Sequence, residues 1–176
     1  MELREITYLS IALRLVVAVL CGGALGLERG LKNRPAGIRT YMLVCVGACI
    51  VMLTNQYIYQ VFGSGDPVRM GAQVVSGIGF LGAGTIIVTR RNQIKGLTTA
   101  AGLWSAAGVG LALGVGFYEA ALAAGFAVFF ILLLMTAALM AQVYTNDLFT
   151  SYVFLEIMTL SACALIAVRK RGRTLV

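Results

Sequence analysis

DPVRMGAQVVSGIGFLGAGTI, residues 66–86, is the stretch on which the choice between two folds turns. Its middle, Gly77 to Gly82, matches GxGxxG, the phosphate-binding turn of dinucleotide-binding α/β domains. That turn needs a strand before it and an acidic residue about 20 positions after it to hold a ribose. No strand pattern precedes these glycines, and no Asp or Glu lies between Asp66 and Glu119. Instead the hexapeptide sits inside an apolar run from Pro67 to Thr89. At 1.5 Å per residue such a run is long enough for a hydrocarbon core of about 30 Å. The glycines then serve either close helix packing or a local helix break around a bound ion, as in discontinuous transporter helices.

Four more runs of this kind flank it, from Tyr8 to Leu27, Thr40 to Val61, Leu97 to Gly116 and Ala120 to Ala141. The chain has 176 residues, is 60% hydrophobic and only 12% charged, and its mean hydropathy is +0.91. Those proportions exclude an ordinary soluble domain and a disordered chain. A lipid-facing segment must satisfy its backbone hydrogen bonds internally, so each run is predicted to be a helix. The predicted fold class is an all-α membrane protein, a polytopic bundle of five transmembrane helices with a C-terminal sixth helix. Residues 1–142 form the transmembrane domain and residues 143–176 a short helical segment, membrane-associated or a sixth span.

The net charge of +7 is not a nucleic-acid signature, because the cations sit in short clusters between apolar runs. The first loop holds Arg29, Lys32, Arg34 and Arg39, and the third holds Arg90, Arg91 and Lys95, against Arg69 alone in the second. By the positive-inside rule these two loops are cytoplasmic and the N-terminus lies outside. The tail breaks the scheme: Leu148 to Val168 has the length of a span, yet spanning would carry Arg169, Lys170, Arg171 and Arg173 outside. A sixth span, a helix along the inner surface or a shortened soluble appendage would each resolve this.

Polar residues within apolar runs are the candidates for function. Asp66 before Pro67 is a helix-capping pair. Asp66, Arg69, Gln73 and Ser76, at steps of three, four and three, also share one helix face. They are the candidate polar pathway or ion site, expected to face the bundle interior or a hydrated cavity, the alternative being an ordinary headgroup-level pair. Small residues recur at every fourth position in Gly102, Ala106, Gly110 and Gly114, and again in Ala18, Gly22 and Gly26. Such ridges let helix backbones touch in lipid, which places the first, third and fourth helices at the packed centre.

Arg14, two turns into the first helix, is expected to snorkel outward or to pair with Asp66. Glu28 opposes the dipole at a helix C-terminus and so requires a cationic partner, with Arg29, Arg39 and Lys95 available. Trp104 is expected to pack against glycines, and Thr98 and Thr99 to cap the fourth helix. Cys45 and Cys49 share a helix face, but without any His in the chain they read as core residues rather than zinc ligands. No nucleophile or acid–base constellation is present, so no enzyme is expected.

These stretches together resemble the MgtC/SapB family of bacterial inner-membrane proteins. The resemblance rests on GLERG at residues 26–30, RPAGIRTYMLVCVGA at 34–48, DPVRMGAQVVSGIGFLGAGTI at 66–86 and KGLTTAAGLWSAAGVGLALGVGFY at 95–118. It implies a multi-pass inner-membrane protein with an outside N-terminus, linked to magnesium homeostasis and, in pathogens, to survival inside host cells. The conventional label is a candidate Mg²⁺ transporter; the alternative is a non-transporting regulator that binds and modulates another membrane complex. The family's motif positions fall on Glu28, Arg29, Gly37, Arg39, Asp66, Arg69, Gln73, Gly77, Gly79, Gly82, Gly84, Gly96, Thr98, Thr99 and Trp104. Many longer members add a soluble cytoplasmic domain, for which the residues after 142 are too few. No cofactor is implied beyond Mg²⁺ as ligand or substrate, and the expected partners are the bilayer, a membrane protein or a second copy of the chain.

Overall fold

Each apolar run becomes a helix because its backbone groups have no other partner in lipid, and Gly, Pro and β-branched clusters set where it stops. In a computed structural model the order is α1 (Tyr8–Leu31), α2 (Ile38–Phe62), α3 (Arg69–Thr85), β1 (Ile87–Val88), β2 (Ile94–Lys95), α4 (Leu97–Val115) and α5 (Tyr118–Tyr144). The structure describes residues 5–31, 34, 36–63, 66–88, 94–144 and positions 153, 156 and 159. Val153, Glu156 and Thr159 are helical, and the Thr159 hydroxyl donates to the Glu156 carbonyl at 2.9 Å. The rest of the predicted C-terminal helix, like Lys32, Arg90 and Arg91, lies outside the described residues. The chain divides into two compact units, residues 1–128 and 129–176, with the division inside α5.

Among the described residues four helices, α1, α2, α4 and Tyr118–Ala141 of α5, are long and apolar enough to cross a membrane. The third predicted span is shorter than expected. Its helix stops after 17 residues at Thr85, about 25 Å at the α-helical rise. Thr85, Ile86, Ile87 and Val88 form a β-branched run that favours extended backbone, and Ile87 and Val88 pair with Lys95 and Ile94 in a two-residue antiparallel ladder. Gly96 then turns the chain into α4 with φ 94°, and a side chain there would strike the Thr85 carbonyl at the end of α3.

The centre of residues 1–128 is α2, not the expected trio of α1, α3 and α4. A ridge of glycines needs a partner with side chains of moderate size to fill it, and α2 supplies them. A Cβ on Gly22 would lie 2.8 Å from the Tyr41 carbonyl oxygen, and one on Gly26 would lie 2.7 Å from Ile38 Cα. On the other flank, Gly102 abuts the Tyr41 ring, Gly110 abuts Cys45 and Ala48, and Gly114 abuts Cys49 and Met52. Tyr41, Cys45, Cys49 and Met52 are all buried, and Cys45 and Cys49 join Ala18, Leu53, Val109, Leu113 and Ala121 in the core. Both small-residue ridges therefore close onto one central helix, where dispersion contacts replace the hydrophobic drive that lipid does not provide.

Candidate functional site

Two polar clusters occupy opposite ends of this packed set. At the end holding the α1–α2 connection, Arg29 Nε lies 3.0 Å from Glu28 Oε2, with both side chains almost fully buried. The partner that Glu28 requires is thus its neighbour. The cation also sits in the last turn of α1, where it complements the carbonyl end of the helix. Tyr41, buried at the start of α2, donates its hydroxyl to the Thr99 carbonyl at 3.3 Å and so ties α2 to the first turn of α4. Thr98 and Thr99 do not cap α4: the N-cap is Gly96, with no side-chain hydrogen bond, because only glycine readily takes the left-handed turn there. Gly37, before α2, sits against Gly30, and Arg39 is exposed.

At the other end Arg14 is fully buried, which overturns both expectations for it. Its Nη1 donates to the Gly114 carbonyl at 2.7 Å and to Gln56 Oε1 at 3.0 Å, and its Nε donates to the Tyr118 hydroxyl at 3.2 Å. Gln56 Nε2 donates in turn to the Val115 carbonyl at 3.1 Å. The Gly116 amide bonds the Leu113 carbonyl at 3.0 Å and the Phe117 amide bonds the Ala112 carbonyl at 2.9 Å, a Schellman ending with Gly116 at φ 83°. All four terminal carbonyls of α4 are therefore satisfied, two of them by side chains from α1 and α2. A buried guanidinium at a helix C-terminus is also favoured by the macrodipole. Sequence marked Arg14 as an intramembrane charge; its partners, 42 to 104 residues away, carried no local signal.

The predicted stripe lies elsewhere. The Asp66 carboxylate accepts the Val68 amide at 2.9 Å, which is the capping role expected of it. The Asn55 side-chain amide bonds the Pro67 carbonyl and fastens this turn to α2. Asp66, Arg69, Gln73 and Ser76 do share one face of α3, and all four are exposed. The buried residues of that helix, Gly71, Ile78 and Gly82, lie about half a turn away, against the rest of the bundle. Gly82 approaches Ala100, whereas Gly77, Gly79 and Gly84 have nothing within 4 Å of a Cβ position. Trp104 is 54% exposed on α4 rather than seated among glycines. Two apolar grooves flank α3, of about 380 Å³ beside Met52, Gly71 and Leu111 and about 490 Å³ beside Thr40, Ala48 and Gly77. Among the described residues no cluster of three or more His, Cys, Asp or Glu side chains is placed to hold a metal ion.

No solved structure matches the chain. Among curated proteins it is 44% identical to SapB of Bacillus subtilis over 121 residues, 65% of this chain and 51% of that protein. It is 38% identical over 112 residues to YhiD of Escherichia coli K12, whose name describes a candidate magnesium transporter, covering 61% of this chain and 52% of that protein. MgtC of Salmonella typhimurium is 41% identical over 112 residues, 64% of this chain and 46% of its own length. The chain thus spans about half the length of the curated relatives it matches. The family model described as MgtC family matches residues 15–141, from Arg14's neighbour on α1 to the last turns of α5, and the chain belongs to that family.

Proposed function

We propose that the chain is a bacterial inner-membrane protein of magnesium homeostasis that acts without conducting ions, by binding and modulating another membrane complex. The observation that carries this reading is the placement of the polar stripe. Asp66, Arg69, Gln73 and Ser76 line the outside of α3, while the faces joining α1, α2 and α4 are closed by glycine against side chain. A dication crossing within one chain would need carboxylates facing a hydrated interior. The orientation that fits the loop charges puts the Glu28–Arg29 cluster at the cytoplasmic surface and the Arg14 cluster at the outer one.

A second reading, Mg²⁺ transport, is favoured by the name given to YhiD. Its ion site would begin at Asp66, although that carboxylate already accepts an amide and Arg69 stands one turn away on the same face. Sealed proteoliposomes containing the purified chain and an internal Mg²⁺-sensitive dye separate the two readings. The regulatory reading expects uptake equal to that of empty vesicles, with another membrane complex co-purifying in mild detergent. Uptake above that background, abolished by Asp66→Ala, would establish transport instead.

A further inference from the structure

The exposed face of α3 is polar where it should be greasy. Arg69, Gln73 and Ser76 are exposed, on the side of α3 opposite its buried residues Gly71, Ile78 and Gly82. A primary amide and a hydroxyl left in hydrocarbon forfeit the hydrogen bonds they would make in water. The same face carries Phe80, 84% exposed, between Gly77 and Gly84, whose Cβ positions are open. At 100° per residue, Arg69, Gln73, Ser76, Gly77, Phe80 and Gly84 fall within about a third of the helix circumference.

We infer that this face of α3 is a two-fold interface with a second copy of the chain. The occupant follows from self-complementarity, which a symmetric interface demands, since the same patch must fit itself. Asp66 and Arg69 carry opposite charges one turn apart, so a two-fold axis along the membrane normal sets the carboxylate of each copy within reach of the guanidinium of the other. An amide both donates and accepts, so Gln73 pairs with its own counterpart near the axis, and the Ser76 hydroxyl does the same deeper in. Gly77 and Gly84 allow the backbones to close, and Phe80 of each copy fills the gap that the glycines of the other leave. A lipid tail offers none of these donors or acceptors. This inference is independent of the proposed function, because a dimer can serve a regulator or a transporter.

The test uses the full-length chain in liposomes at decreasing protein-to-lipid ratio, with dimer fraction read by single-molecule photobleaching. Gln73→Leu and Gly77→Leu are expected to weaken dimerisation roughly tenfold each. Leu20→Ala, at an exposed position on α1, should leave it unchanged. Thermal unfolding of Gln73→Leu and Leu20→Ala should match the parent chain, since both positions are exposed, whereas Gly77 also borders the groove beside Thr40 and Ala48, so its variant counts only alongside Gln73→Leu. Oxidation of Ser76→Cys should give a disulfide-linked dimer, and Leu20→Cys should not. A monomer at every ratio, equal dimer fractions for Gln73→Leu and the parent, a Ser76→Cys cross-link to a different protein, or one to residues 129–176 of the same chain would each overturn the interface.

Discussion

Arg14 illustrates why a buried charge in a membrane bundle is a structural commitment. Its guanidinium fork meets a carbonyl, an amide oxygen and a phenol from three other segments, and Gln56 completes the set at Val115. Arg14→Ala is expected to cost about 3 kcal/mol, because the buried Gly114 carbonyl and the half-buried Gln56 lose a charged donor. For a chain of this size that corresponds to a drop of roughly 10 °C in Tm, measurable by thermal unfolding in detergent. Arg14→Lys should recover less than half of the loss, since a point-charge ammonium cannot match the planar fork. An unchanged Tm for Arg14→Ala would remove the clamp from this account. Arg14 was legible in the sequence as a misplaced charge, but its direction was not: Gln56 and Tyr118 become its partners only once three helices have packed.

Within the elements, glycines divide into those that are used and those that are bare. On α4 a methyl at Gly114 would stand 2.6 Å from Met52 Cβ and 2.7 Å from the Cys49 carbonyl oxygen, and neither can step aside without moving α2. Gly114→Ala is expected to destabilise by about 2 kcal/mol through overpacking. On the same helix the change at Gly108 meets nothing within 4 Å, so Gly108→Ala should be neutral or stabilise by up to about 0.5–1 kcal/mol through helix propensity. Comparing the unfolding temperatures of the two variants checks the difference in sign. The four-residue spacing of Gly102, Ala106, Gly110 and Gly114 puts small residues on one face of α4, and it carried no address. The ridge fits α2 because Tyr41, Cys45, Cys49 and Met52 recur on a matching face, and those residues read in sequence only as part of an apolar run. The end of α3 was misread for a different reason: hydropathy counts Ile86 to Val88 as membrane length, while their β-branching takes the backbone out of the helix.

For the whole molecule, the clustering of cations at alternate loops makes a prediction about sidedness. In intact cells a membrane-impermeant maleimide should label Glu119→Cys, and should label Lys95→Cys only after the envelope is opened. The reverse pattern would invert the assignment of both polar clusters. Cys45 and Cys49 are fully buried and should stay unlabelled in either case. That the chain folds as apolar helices in this order followed from composition and apolar run length, because a backbone in lipid has one economical way to satisfy itself, whereas the 17-residue length of α3 did not. Membership of the family was equally local, since its motifs are contiguous strings. Which helix stands at the centre, where Arg14 finds its ligands and which way the α3 stripe faces depended on three-dimensional packing. Those outcomes are set by contacts between residues tens of positions apart, and hydropathy is blind to them because it averages over all the faces of a helix.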